Sequence, residues 1–173
     1  MAFGIGSRRL QPSGRARDLE GCRRAAVRAS AERAFEAFTR DIGLWWRPND
    51  LFRFTARRGG MAFEPWLGGR FTETDAEGGC FEIGRITHWA PGEKLAFTWR
   101  QESFSPDQVT EVEVRFEPVG GETRVTVEHR GWDRIPADHV ARHGFPEAAF
   151  LTRHGEWWRD LLAAYAGRLA PTP

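Results

Sequence analysis

The sequence predicts an α+β fold: a curved antiparallel sheet of about seven strands wrapped around one long C-terminal helix, with two short helices after the first strand. Three observations predict it. Behind Pro146, the apolar residues Phe150, Trp157, Trp158, Leu161, Leu162, Tyr165 and Leu169 recur at three- and four-residue spacing, which makes one broad apolar helix face. From Leu51 to His129 the apolar period is two, most cleanly in Leu95/Phe97/Trp99, Val112/Val114/Phe116 and Val125/Val127/His129, so the strands have one dry and one wet face. The breaks between these runs are short and leave no room for the helical crossovers that parallel strands need, which makes the pairing antiparallel.

In chain order, residues 1 to 21 are rich in Gly, Ser, Arg, Pro and Gln without sustained periodicity and read as a flexible tail ahead of a single domain spanning 22–170. Deleting that tail is expected to change stability by less than about 0.5 kcal/mol. A large drop in the thermal midpoint would show that the tail packs. Cys22 to Ala29 reads as a short strand. Ser30 stands as N-cap before Ala31, Ala34, Phe35 and Phe38 at helical spacing, so a helix is predicted over 31–39. The run from Asp41 to Trp46, stopped by Pro48, is a single helical turn. Six strands follow between Leu51 and His129. Their breaks are Arg58-Gly59-Gly60, Leu67-Gly68-Gly69, Asp75 to Gly79, Pro91-Gly92, Ser103 to Gln108 and Gly120-Gly121. A loop from Trp132 leads to His139–His143 and then to the long helix, which at about 1.5 Å per residue is on the order of 35 Å long and can lie across a small sheet. Gly155, a poor helix residue between His154 and Trp157, marks either a close approach to the backbone or a tolerated glycine.

At 173 residues the chain is long enough for one domain with a real core. Lys plus Arg is 25 against Asp plus Glu at 24, and this balance argues against nucleic acid or an anionic membrane surface as a partner. Eight tryptophans and 13 phenylalanines carry more aromatic surface than packing a small sheet requires, and a lined cavity is one use for it. Ser7-Arg8-Arg9-Leu10 lacks the apolar stretch of an export signal, and no apolar run is long enough to span a bilayer. Two widely spaced cysteines, Cys22 and Cys80, fit a reducing cytoplasm. They are expected to stay unpaired, so the mass should not change on reduction.

Several motifs carry a resemblance: the run Val27 to Phe38, Trp45-Trp46, Gly68-Gly69-Arg70-Phe71 with Glu73, and Gly84-Arg85-Ile86 leading to Trp89-Ala90-Pro91-Gly92-Glu93-Lys94-Leu95-Ala96-Phe97-Thr98-Trp99. The strand Thr123 to His129, and Gly155 with Trp157-Trp158 and Leu161-Leu162, complete it. From about Cys22 to Leu169 the chain resembles the START-like, SRPBCC superfamily with its helix-grip fold, and most of all the branch named for homology to the activator of the heat-shock protein 90 ATPase. The resemblance implies an internal cavity. It does not specify a ligand or a reaction, because these positions are structural glycines, turn residues and cavity walls. The segment from Trp132 to His154 departs from the family pattern.

The candidate cavity wall is Trp45, Trp46, Phe52, Phe54, Trp89, Phe97, Trp99, His129, His154, Trp157 and Trp158, with the two histidines as its polar contacts. The alternative is that the same rings fill a solid core. Of the neighbours Trp157 and Trp158, about 100° apart on a helix, only one is expected to face the centre of the sheet, and the position of His154 favours Trp158. His139 and His143 have metal-site spacing, but no third ligand stands near them, so no metal and no cofactor is expected. Glu111, Glu113 and Glu117 alternate with apolar positions and point to solvent, and solvent is also the expectation for Glu73 and Glu82, whose strand parity is ambiguous. Arg23-Arg24 and Arg57-Arg58 read as solvated pairs. No catalytic constellation can be assembled. A module that binds a small hydrophobic molecule is therefore the first reading. A co-chaperone-like protein-interaction module is the second, and would need exposed aromatics around 45–54. A cyclase- or aromatase-like enzyme is the third, and would need a buried acid or base.

Overall fold

Strand β1 (Cys22–Val27) stops two residues short of the expected end, where the chain turns into the cap of the first helix. Ser30 Oγ accepts from Arg33 N at 3.2 Å, and helix α1 (Ala31–Thr39) buries Ala34, Phe35 and Phe38 as its spacing predicts. The single turn α2 (Ile42–Trp45) is locked by its own tryptophan: Trp45 Nε1 donates to Ala37 O at 3.1 Å inside the core. The computed structural model describes residues 22–47, 49–55 and 59–170. The expectations for the tail 1–21 and for Arg57-Arg58 lie outside those residues.

Six further strands follow: β2 (Gly60–Phe63), β3 (Arg70–Thr74), β4 (Cys80–Ala90), β5 (Lys94–Trp99), β6 (Thr110–Val119) and β7 (Glu122–Arg130). Together with β1 they form one seven-stranded antiparallel sheet of order β1-β7-β6-β5-β4-β3-β2. The period-two run does not begin as strand at Leu51. Residues 49–55 are irregular, although Phe52 and Phe54 are both buried. Register shifts between Phe71 and Thr72 and between Ile86 and His88 add local twist to the half of the sheet that must curl. At the bend sits Gly84, where a Cβ would stand 1.7 Å from Thr98 O, so only glycine lets β5 close on β4. Cys22 and Cys80 are unpaired. They lie on β1 and β4, with three strands of the sheet between them.

Helix α3 (Glu147–Leu169) begins one residue after Pro146, which takes the cap position with extended backbone. It lies in the curl of the sheet with Phe150, Leu161, Leu162 and Tyr165 buried, and Tyr165 Oη donates to Ala34 O at 2.8 Å. Trp157 and Trp158 are both buried. The irregular segment 49–55 supplies the second wall: Phe52 stacks on Trp157 at 5.1 Å, while Trp158 meets His129 on β7. Gly155 answers to a close approach. Arg23 Nε donates to Gly155 O at 3.0 Å, and an added Cβ would overlap the Arg23 guanidinium. Arg23 is thus half-buried and pinned to α3 rather than solvated, while Arg24 is exposed.

Glu73 is a second correction. It shares the inward face of β3 with Phe71, is buried, and its Oε1 accepts from Gly59 N at 2.8 Å. Glu82 remains at the surface, paired with Arg85. His139 and His143 do not share a helix face: they flank a three-residue 3-10 turn, Val140–Arg142. His139 Nδ1 accepts from Ala141 N at 3.1 Å as the cap of that turn, and His143 leaves it in the left-handed region. Among the described residues no group of three or more His, Cys, Asp or Glu is placed to hold a metal, and no helix is long and apolar enough to cross a membrane.

Candidate functional site

The inward faces of β5, β7 and α3 bring rings together at one end of the curl because the last apolar position of each strand falls there. Trp99 closes β5, His129 is the penultimate residue of β7, and His154 and Trp157 are one helical turn apart on α3. Trp132, in a 3-10 turn just beyond β7, and Phe52 cover them. His154 stands in the middle. Its ring centroid is 4.7 Å from His129, 5.1 Å from Trp132, 5.2 Å from Phe52, 5.6 Å from Trp157, 5.8 Å from Phe150 and 6.0 Å from Trp99. Trp99 and Trp157 stack at 5.5 Å with planes 26° apart.

The two buried histidines differ in one respect. His129 is fully satisfied: its Nδ1 accepts from Trp158 Nε1 at 3.2 Å, which assigns the ring proton to Nε2. That N–H donates to Thr110 Oγ1 at 2.8 Å, and the hydroxyl in turn donates to Trp99 O at 3.1 Å. His154 Nε2, by contrast, is buried without a partner, and so are the indole nitrogens of Trp99, Trp132 and Trp157. Burial, with a smaller contribution from the neighbouring His154, holds the His129 pKa well below the usual histidine value. Burial, followed by the charge of Arg23, lowers His154 to about 3. Both rings are therefore neutral near pH 7.

The sequence-predicted wall divides into three. Phe52, Trp99, His129, His154 and Trp157 form the cluster, with Trp158 bonded to its edge. Trp46, half-buried, and Phe54 extend it toward α2, since Trp46 meets Phe54, Trp157 and Trp158 within 6 Å. Trp45, Phe97 and Trp89 pack elsewhere: Trp45 against Phe38 and Tyr165, Phe97 against Phe63 and Phe71, and Trp89 against Phe35 at 4.9 Å. Sequence reasoning missed Trp132 and Thr110 as members. Trp132 stands three residues after an inward histidine, which was the available signal. Trp45, Phe52 and Phe54 are buried, so the exposed aromatic patch that a protein-interaction reading needs at 45–54 is not formed there.

Chemically, the cluster offers flat apolar faces and unpaired N–H donors. Its one hydroxyl beside an imidazole, Thr110 Oγ1, accepts the hydrogen bond of the His129 Nε2 proton and is not activated by that ring. Two surface clefts lie apart from the cluster, one along β1 and β7 at Ala25 and Arg124, the other at the β3–β4 end beside Glu73, Cys80 and Glu102.

Comparison with known proteins agrees with the fold. No curated protein matches the chain in sequence. Among solved structures, the self-sacrificing resistance protein CalC from Micromonospora echinospora is 27% identical, covering 86% of this chain and 92% of that one with a TM-score of 0.55. The Aha1 homologue from Colwellia psychrerythraea, solved as a dimer, is 19% identical over 86% of this chain and 93% of that one, with a TM-score of 0.58. Protein BH1534 of Bacillus halodurans is 17% identical over 87% and 96% of the two chains, with a TM-score of 0.61. Residues 28–153 match the sequence model of the "Activator of Hsp90 ATPase homolog 1-like protein" family, and with that match, the seven-stranded sheet and the gripping C-terminal helix, the chain belongs to this Aha1-homologue branch of the START-like, SRPBCC proteins.

Proposed function

We propose that residues 22–170 form a binding module that takes a small, largely apolar molecule into the aromatic interior around His154, with no catalytic step of its own. The observation that carries this reading is the set of four buried polar atoms, His154 Nε2 and Nε1 of Trp99, Trp132 and Trp157, left without partners inside one ring cluster. Native interiors pair such groups, so four together mark a place where a guest completes the bonding. The rings touch one another, and a guest replaces ring–ring contacts rather than filling a void. Room for it comes from the irregular segments 49–55 and 131–145, which lack ladder hydrogen bonds and open at lower cost than the strands. A cytoplasmic setting is part of the proposal, resting on the sequence's two sparse, widely spaced cysteines.

The cyclase-like reading draws on two observations, the unpartnered imidazole of His154 and the buried carboxylate of Glu73, whose Oε2 is unpaired but which lies at the β3–β4 end, apart from the ring cluster. A general base works best with a pKa near the operating pH, and His154 lies far below it at about 3. Binding is therefore favoured over catalysis, and over the co-chaperone-like reading, which lacks its aromatic patch at 45–54. The test is native mass spectrometry of the purified protein together with calorimetric titration of 2-ethylnaphthalene and 2-acetylnaphthalene. A co-purified small molecule, or saturable one-to-one binding of either probe, is expected. Bare protein that binds neither would overturn the reading.

A further inference from the structure

The unpaired atoms also specify the guest's chemistry. An indole N–H can only donate, so Trp99, Trp132 and Trp157 together present three donors and no acceptor. The acceptors nearby are engaged: His129 Nδ1 by Trp158, and Trp99 O by Thr110 Oγ1. His154 Nε2 is the one atom of the four able to take either role, according to its tautomer.

Resting on the binding reading above, we infer that the molecule held among these rings is a flat, neutral hydrogen-bond acceptor, of the ketone or quinone class, whose oxygen receives indole N–H groups. An amine or other pure donor could engage only His154 Nε2 and would leave the three indole N–H groups unsatisfied. An ion would enter a cluster of neutral rings, where a charge without a partner is costly. Two guanidiniums stand beside the cluster: Arg23, whose charge reaches His154 and whose Nε donates to Gly155 O, and Arg142, 5.1 Å from the centroid of the Phe150 ring. Arg142 Nη1 is held by Trp132 O and Ile135 O at 3.3 and 3.1 Å, leaving Nε unpaired. The depressed histidine pKa values agree with a site that carries no charge near pH 7.

Calorimetry on the full chain with three naphthalenes of similar size separates the possibilities. The expected result is that 2-acetylnaphthalene binds about tenfold more tightly than 2-ethylnaphthalene, which has no acceptor, and more tightly than the anion 2-naphthoate. Trp132→Phe keeps a ring and deletes one N–H, and is expected to cut the acetyl-to-ethyl ratio several-fold. Equal affinity for acetyl and ethyl probes would overturn the acceptor inference while leaving the binding reading intact. Tighter binding of naphthoate would replace the neutral acceptor with an anion directed by the Arg23 or Arg142 guanidinium. Failure of all three probes to bind would overturn both. Should Trp132→Phe not fold, the ratio measured on the parent chain still decides.

Discussion

Trp158→Ala is expected to lose about 3–5 kcal/mol of stability, the range for removing a buried aromatic ring. The residue is only 1% exposed, and its indole packs between Trp46, at the cap that follows α2, and His129 on β7, so the cavity left behind would border both. The substitution also takes away the donor that holds His129 Nδ1 and leaves a buried acceptor unpaired. Urea unfolding of parent and variant measures the loss. If the interior binds a guest, the same variant binds 2-acetylnaphthalene more weakly. A solid core would show the stability loss with no ligand effect. A variant as stable as its parent would place Trp158 at the surface and refute the orientation of α3.

Acidification from pH 7 to pH 5 is expected to cost about 2 kcal/mol through His154, with His129 adding to the loss in the same direction. Above about pH 6.5, His129 and His154 are neutral in both the folded and the unfolded chain and contribute nothing. Below it the unfolded chain takes up a proton at each, whereas the folded chain refuses them, His154 down to about pH 3. The unfolded state then binds more protons, so stability falls with falling pH, by up to about 1.4 kcal/mol per unit for each histidine. Carboxylates held below their usual values, Glu64 and Glu113 among them, act in the same direction at lower pH. Glu64 is held below its usual value by its hydrogen bonds from Arg70; at Glu113 burial works the other way, but Lys94 and Arg115 outweigh it. Their ordinary value of 4.5 leaves the interval from pH 6.5 to 5 mainly to the histidines. Urea midpoints measured across it should fall, and His154→Phe should reduce the slope. An unchanged slope in that variant would show that His154 is not kept neutral by folding.

Most of the architecture was legible because it rests on neighbours in sequence. Ser30 caps α1 through a residue three positions on, the strands β5, β6 and β7 follow an alternation of two, and α3 follows a spacing of three and four. Such patterns are local, so one chain suffices to read them. The family resemblance was legible for the same reason, since its motifs are turn glycines and inward aromatics at fixed short spacings. Membership of the site was only partly legible. His129, His154, Trp99 and Trp157 lie at inward positions of their elements and could be named, but Trp45, Phe97 and Trp89 are inward as well and pack elsewhere in the core.

What periodicity could not decide is which inward residues share an end of the curl, because that depends on how far the sheet bends and where an irregular segment folds back. Arg23 and Gly155, 132 residues apart, meet because β1 lies against α3, and this contact explains a helix glycine that local propensity left open. Trp157 and Trp158 are both buried because residues 49–55 cross the flank that an open sheet would have left wet. Glu73 turned inward through the parity of Phe71 on a strand whose register shifts beside it. The sequence by itself determined the elements, their order and the apolar faces. Tertiary structure alone decided which of those faces carries unpaired donors, because a hydrogen bond is made or left open according to distances between elements that no local pattern records.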